Sequence, residues 1–557
     1  MKTMNTLIKS LKKSLLIFSA AGCINAASAQ DTSKTRSVEI TSEFKPVLKS
    51  SAKINFNPSP APNDTTRPVL NYNVPNQNLL FAYQPGNLQP LALAIDSGGF
   101  WDNSSFIKAG FGSLKSPYVQ AGFSFGDGKT AGLNIYAKHI SAEGKRNFQD
   151  YSNTHVGLNL FFQTAKNLEW NAALGMKQDR YNKYGYLPET LTFPKDSVQQ
   201  RFQTWKGRIG FHNINLTDFG LSYSPEIKID VFRDNNKNSE SNTVVNLPLQ
   251  KTIGRNFAVN LGITFDLTRL KPEGKDVINN TFYFISPSVQ YKSSGLMLQG
   301  GIRPSWDNKT FKMFPNIMTE VGTEDQRFTF QAGWTGYLRK TSYQYLASQN
   351  AWLYVPDSLN NTWIEERYAG FKGSVGDHFT YSTKVAFNKL RNQPLFINDM
   401  NDGKSFIVVY EPKMNVVHFG AEAGYTVHEK FSVLAGLNFN QFSGLKQNEK
   451  AWGLIPLELK TALRLQVLKD LWLTSDLFAF SGSRYMTKTG GAGKLGGAMD
   501  LNAGLEFRIT KSLNLWTQFN NILNKEYQRW NQYPVYGFNF HAGVIFSFNQ
   551  KGIFASQ

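Results

Sequence analysis

Residues 257–266 read Phe257-Ala258-Val259-Asn260-Leu261-Gly262-Ile263-Thr264-Phe265-Asp266. Large apolar side chains occupy every odd position and small or polar ones every even position. Period two belongs to a strand with one apolar and one polar face. The same pattern recurs along the chain. Leu501, Ala503, Leu505 and Phe507 alternate with Asn502, Gly504, Glu506 and Arg508. Near the end, Phe538, Phe540, Ala542, Val544, Phe546 and Phe548 alternate with Asn539, His541, Gly543, Ile545 and Ser547. Further examples are Val119/Ala121/Phe123/Phe125, Leu133/Ile135/Ala137, Trp170/Ala172/Leu174/Met176 and Val433/Ala435/Leu437/Phe439.

The connections between these segments also alternate in length. Short ones fall at Gly126-Asp127-Gly128, Thr164–Asn167, Ser293-Ser294, Gly376-Asp377, His428–Lys430 and Thr510-Lys511. Longer polar loops fall near 142–152, 179–199, 340–363 and 486–496. Asp-Gly pairs suit tight hairpins. Short turns at one end and long loops at the other are the layout of a transmembrane β-barrel, with the short turns periplasmic. The pattern predicts an all-β, antiparallel barrel of about 20–22 strands over residues 101–548. The stretch 392–427 reads either as one long strand or as a strand with a small hairpin. Trp101, Trp170, Trp516, Tyr536 and Phe548 sit near strand ends and are expected to form aromatic girdles.

Composition narrows the class further. The chain has 557 residues, 14% of them aromatic, only 18% charged, 45 glycines and one cysteine. Sparse charge with many aromatics opposes disorder. No apolar run of 18 residues follows residue 25, which excludes a helical membrane bundle. A single cysteine excludes a disulfide scaffold and a thiolate metal site. A β-propeller would need a repeat of about 40–45 residues, and none is evident.

The N-terminus sets the expected compartment. Lys2, Lys9, Lys12 and Lys13 precede a short apolar core from Leu15 to Ile24, and Ala27-Ser28-Ala29 precedes Gln30. This reads as a secretory signal over 1–29 with cleavage between Ala29 and Gln30. Ala20-Ala21-Gly22-Cys23 is a weak alternative cleavage site of lipoprotein type. The net charge of +19 falls to +15 when the four signal lysines leave. An exported basic β-protein meets anionic lipid or anionic solutes, and no nucleic-acid partner is expected.

Residues 30–100 differ from the rest. Eight of the 22 prolines lie between Pro46 and Pro90. Proline fixes an extended backbone and removes donors, so this stretch is an arm rather than a sheet core. Its apolar words, Val69-Leu70 and Leu79-Leu80-Phe81, point to a surface against which it lies: a reduced plug or a partner-binding segment. A barrel of about 22 strands encloses a wide lumen that something must fill. The arm, inward-folded loops, bulky lumen side chains and a partner protein are the alternatives.

The most specific word is C-terminal. Asn520-Asn521-Ile522-Leu523-Asn524-Lys525-Glu526-Tyr527 is followed by Tyr533-Pro534, Gly537-Phe538 and a strand ending at Phe548. It resembles the last two strands and last external loop of TonB-dependent receptors, in the style of Bacteroidota outer-membrane barrels. The resemblance implies the outer membrane of a Gram-negative bacterium, solute receptor or transport work, and coupling to TonB or another periplasmic protein. Val38-Glu39-Ile40-Thr41 is similar to a TonB box. The chain departs from the family in having no room for a standard plug, and in the extension 549–557 beyond the aromatic end.

No catalytic motif emerges. The seven histidines (139, 155, 212, 378, 418, 428 and 541) show no metal-ligand spacing, and there is no nucleophile elbow. Neither a metal nor a cofactor is expected, and the protein is not read as an enzyme. Alternation places Glu506, Arg508 and His541 toward the lumen, with Lys138 and Lys384. Glu506 and Arg508 read as an ion pair within the wall or as a contact for a substrate or the arm. The lysines bias the lumen toward anions. Two functions remain open: a solute receptor or transporter, and a sealed barrel serving as a structural or assembly subunit for a periplasmic or surface partner.

Overall fold

The computed structural model describes residues 105–549, apart from positions 324, 326, 428 and 429. The chain divides into Met1–Gln77 and Asn78–Gln557, and the described residues all belong to the second unit. The signal, the Ala29–Gln30 junction, the Val38–Thr41 word, the arm and the tail beyond 549 lie outside them.

One antiparallel sheet holds 23 hydrogen-bonded strands. Leu221–Tyr223 and Glu226–Asp234 both pair with Ser239–Ile253 and are halves of one stave broken at Ser224-Pro225, leaving 22 staves. Proline at position 225 has no N–H for the ladder, which explains the break. The first strand, Ser105–Gly112, pairs with the last, Asn539–Phe548, from Ser105 opposite Phe548 to Gly112 opposite His541. The sheet therefore closes, and no strand is left with an unpaired edge.

The two faces follow the alternation. Phe257, Val259, Phe265 and Leu267 point outward and are 41–50% exposed. Residues of this kind recur around the whole barrel, an apolar belt that needs lipid rather than water against it. On the inner face of the same strand, Asn260 accepts from Gln250 at 2.9 Å and Thr264 donates to Asn246 at 2.9 Å.

Aromatic girdles flank the belt. At one end, Trp170 packs between Phe162 and Phe211, and Phe257 meets Tyr291. At the other, Phe265, Tyr283, Trp306 and Phe311 form a continuous stack. Two expected girdle members lie elsewhere. Trp516 is buried on the inner face, and Tyr536 sits in a loop with its hydroxyl on the Gln149 carbonyl.

Connections sort by end. The turn end carries mostly short links, such as 127–130, 165–167, 293–295 and 469–470, with 214–220 and 323–328 the longest. At the first of these the Asp127 carboxylate accepts from the amides of Lys129, Thr130 and Ala131 at 2.8–2.9 Å. Those amides and the Thr130 hydroxyl hold its pKa below the usual carboxylate range. Gly126 and Gly128 flank it with positive φ, as an Asp-Gly turn requires. The loop end carries 183–198, 340–361, 392–413, 444–456, 481–497 and 521–538. It also has links of middling length at 143–150 and 272–277 and three short ones, at 113–115, 235–238 and 308–309, where the length asymmetry fails. The stretch 392–427 resolves into a hairpin, Gln393–Asn398 with Phe406–Glu411, followed by the barrel strand Met414–Val427.

Candidate functional site

The loops at the loop end fold inward and build a lid with its own core. Tyr343, Leu346, Leu353 and Leu359 come from loop 340–361, Phe396 and Phe406 from the hairpin, and Trp530 and Tyr533 from the last loop. They pack on Phe202, Phe232 and Leu270, inner-face residues of three barrel strands. Leu270, Leu346, Tyr343 and Leu353 are at most 1% exposed. Each such residue contributes about 1.5–3 kcal/mol by leaving water. A second core joins Ile364 and Leu390 of the wall to Leu395, Trp452 and Leu454.

Polar contacts fix the lid's position. The helix Tyr343–Gln349 is capped by Ser342, whose hydroxyl accepts from the Tyr345 amide at 3.0 Å. The wall carboxylate of Glu240 accepts from the amides of Tyr343 and Gln344 at 2.5 and 3.0 Å. A carboxylate at a helix N-terminus meets its free amides and its dipole. Tyr343 also donates to Asp234 at 2.7 Å. At the loop's base, Asn361 donates to Asp307 at 2.7 Å and Asn280 donates to the Thr341 carbonyl at 2.8 Å. Lys340 pairs with Asp266 at 2.7 Å.

Between the lid's underside and the wall lies a cavity of about 1150 Å³. Gln344, Gln349 and Trp352 contribute to its roof, and Tyr136, Lys138, His155, Lys177, Lys206 and Asp230 to its wall. Charged, amide and aromatic groups converge there, as in sites that orient a polar solute.

The residues singled out from sequence are dispersed. His541 faces inward, buried, with an imidazole nitrogen 2.7 Å from the Ser116 hydroxyl. Glu506 and Arg508 face inward but do not bond to one another. Glu506 accepts from Asn514 at 2.6 Å, and Arg508 stacks over Trp472 with its guanidinium carbon 4.7 Å from the ring centre. Lys384 faces inward and pairs with Glu366 at 2.8 Å. The C-terminal word is a scaffold. Asn521 donates to the carbonyls of Lys525 and Tyr536, and its amide donates to Asn502. Asn520 donates to Asn539, Tyr527 to Asp500, and the Phe538 amide to Asn524 beside Gly537. Tyr533 is the lid's deepest anchor from that loop, and the Pro534 carbonyl accepts from Tyr184 and Gln149. Phe548 pairs with Ser105 at the closing seam.

Inward-folded loops are one of the lumen fillers the sequence leaves open, but the residues that build the lid escape it. Their signal was present in Pro394-Leu395-Phe396, Trp530 and Tyr533, apolar words inside segments bounded by strands.

A closed 22-stave antiparallel barrel with an apolar outer belt and a polar inner face is an outer-membrane barrel. Comparison with solved structures places the fold among receptor barrels of the TonB-dependent type. The chain is similar to the FrpB iron transporter from Neisseria meningitidis, with TM-score 0.61, 12% identity, and coverage of 81% of this chain and 82% of that one. It is similar to the ferric enterobactin receptor PfeA from Pseudomonas aeruginosa, with TM-score 0.61, 12% identity, and coverage of 80% and 81%. It is also similar to FpvAI in its complex with pyocin S2, with TM-score 0.58, 10% identity, and coverage of 81% and 74%. No family model and no curated protein matches the sequence.

Proposed function

We propose that the protein is a solute receptor and transporter of the Gram-negative outer membrane. Under this reading the turn end faces the periplasm and the loop end faces outward. The lid is the receiving surface, and the cavity beneath it is where a solute rests. The observation that carries the reading is the roofed cavity of about 1150 Å³ inside a receptor-type barrel. Residues 30–100 are the periplasmic arm, with Val38-Glu39-Ile40-Thr41 as the word that TonB or another periplasmic protein would take. The test is depletion of growth-medium solutes by a deletion strain, read by mass spectrometry. The expected result is that one solute class stays in the medium and is taken up again on complementation. Identical depletion profiles in deleted and complemented strains overturn the reading.

A second reading is favoured by the lid's packing. Side chains at most 7% exposed across loop 340–361, the hairpin and the last loop suit a lasting seal. The barrel would then be an assembly subunit whose arm holds a periplasmic partner. Capture of one stoichiometric partner from membranes, lost on deleting residues 30–100, supports this reading over transport.

A further inference from the structure

Cross-strand register reveals a continuous inner-face row that sequence periodicity cannot show. Arg508 stands opposite Asn514, Asn514 opposite Ile545, and Ile545 opposite Lys108. Lys108 stands opposite Gln120, Gln120 opposite Lys138, Lys138 opposite His155, and His155 opposite Lys177. Eight neighbouring strands thus contribute five basic residues and no acid to one row. Strands in a barrel tilt by about 35–45°, so a row of directly paired residues climbs along the axis. This one starts at Arg508, the last residue of its strand beside the turn 509–512. It rises to Lys138, His155 and Lys177, all of which line the cavity under the lid. Beyond them it passes Thr204 and Phe232 to reach Glu240, the carboxylate that caps the lid helix.

Lys177 of this row pairs with Asp179 at 2.7 Å, but Lys108 and Lys138 are held unlike most other lumen lysines. Lys228, Lys372, Lys384 and Lys460 each pair with a wall carboxylate. Lys108 instead lies over Trp516, 4.1 Å from the ring centre, and over Tyr118 at 5.6 Å. Lys138 lies over Tyr118 at 5.5 Å. Among the described residues no carboxylate comes within ion-pair distance of either. Asp179 is matched by Lys177 at 2.7 Å, while Glu506 bonds to Asn514 and keeps its charge, acting on Lys108 from beyond ion-pair distance; four row cations then face two flanking carboxylates. An aromatic face positions a cation without neutralising it. Positive charge therefore remains in excess along the row, which focuses the field toward anions inside a low-dielectric wall.

We propose that this row is an anion track leading between the turn end and the roofed cavity, and that the solute carries carboxylate or phosphate groups. The proposal rests on the solute-receptor reading above and names its substrate class. The test uses the full-length protein in non-ionic detergent with pyranine, a trisulfonated pyrene, followed by fluorescence anisotropy. Lys108→Gln/Lys138→Gln is compared with Lys372→Gln/Lys384→Gln, and heat-modifiable electrophoretic mobility verifies that both variants are folded. Wild type is expected to bind with an affinity that falls with salt. The first double variant weakens binding about tenfold, and the second changes it by less than about twofold. Citrate and inorganic phosphate added as competitors separate carboxylate from phosphate preference. Absence of wild-type binding, equal binding by K108Q/K138Q, or an equal loss in K372Q/K384Q overturns the track. The two readings fail separately. Unchanged medium depletion in a deletion strain removes transport while pyranine binding stands, and binding indifferent to K108Q/K138Q removes the track while uptake stands.

Discussion

Trp352 and Tyr533 stack with ring centres 3.9 Å apart and planes 25° apart, although one belongs to loop 340–361 and the other to the last loop of the chain. The contact joins two strands' worth of loop on opposite stretches of sequence. It is locked at its rim: the Trp352 indole donates to the Asn182 carbonyl at 3.0 Å, and the Tyr533 hydroxyl donates to the Lys404 carbonyl. Three loops and the end of the strand Leu168–Asn182 therefore meet at one aromatic pair.

Removing that pair should loosen the lid and spare the barrel. Trp352→Ala is expected to cost about 2 kcal/mol of lid stability, below the range for a fully buried aromatic because the ring is only partly buried. Tyr533→Phe loses only the hydroxyl bond, at about 1 kcal/mol. Hydrogen exchange of residues 340–361 and 521–538 should accelerate in that order, while heat-modifiable mobility stays that of a folded barrel. Equal exchange in wild type and Trp352→Ala would contradict the lid's dependence on the stack.

The lid should also tighten as pH rises. Lys183 is only 6% exposed and lies over the Tyr354 ring at 4.8 Å. Burial, aided by the Lys404 charge, lowers its pKa from 10.5 to about 8 against the pull of Asp234, Asp399 and Asp402. The undocked loop keeps the ordinary value. Between about pH 8 and 10.5 the open state then binds more protons, so docking strengthens with rising pH, by about 3 kcal/mol across the window. Lys183→Met should abolish that dependence and slow exchange of loop 183–198 at neutral pH. A wild-type protection factor, the exchange rate divided by the base-catalysed intrinsic rate, that fails to rise with pH would refute this assignment.

Acid should act at a different joint. Glu411 is fully buried and accepts from the amides of Lys446 and Asn448 at 2.7 and 2.8 Å, and from the Asn448 side chain at 3.1 Å. Burial works to raise its pKa, yet these donors outweigh it and hold the carboxyl below the ordinary 4.5. A depressed carboxylate stabilises above the unfolded value and loses that contribution as pH falls through the folded one. Loop 444–456 should therefore detach from the hairpin 393–411 below about pH 4.5. Glu411→Gln should detach it at neutral pH, at about 1–3 kcal/mol for donors left unmatched. Limited proteolysis within 444–456 reads both.

The barrel was legible because lipid and water impose opposite demands on the two faces of each strand. Phe257 through Asp266 carries that demand in ten consecutive residues, and the closed sheet repeats it. Inward-folded loops stood among the expected lumen fillers, but the lid's own contacts were not legible, because Trp352, Phe406 and Tyr533 meet only through tertiary contacts that leave no period in the chain. The basic row was hidden for a related reason. Lys108, Lys138 and Lys177 each look like an ordinary polar-face residue until register sets them side by side. Trp516 reads as a girdle residue from its place near a strand end, but it shares the parity of Asn514 and Gln518 and turns inward, where Gly543 stands opposite it and Gly110 beneath its ring.

Those glycines carry the last prediction. Gly110 and Gly543 face one another across the seam that joins the first and last strands. A Cβ on Gly543 would lie 2.5 Å from the Gly110 Cα and closer still to the Ala109 carbonyl oxygen. A Cβ on Gly110 would lie 2.6 Å from the Trp516 ring, whose indole donates to the Ala109 carbonyl at 3.3 Å. Backbone cannot yield there without parting the strands, and a parted seam exposes two unpaired edges inside the membrane. Gly543→Val should therefore abolish the heat-modifiable folded band and leave degraded chain. Gly300, whose Cβ position is open within 4 Å, is the matched control. Gly300→Ala should fold like wild type or gain about 0.5–1 kcal/mol, since it limits the unfolded chain and meets nothing in the folded one. A folded Gly543→Val band at wild-type yield would show that the seam tolerates separation and that closure rests on the other strand pairs.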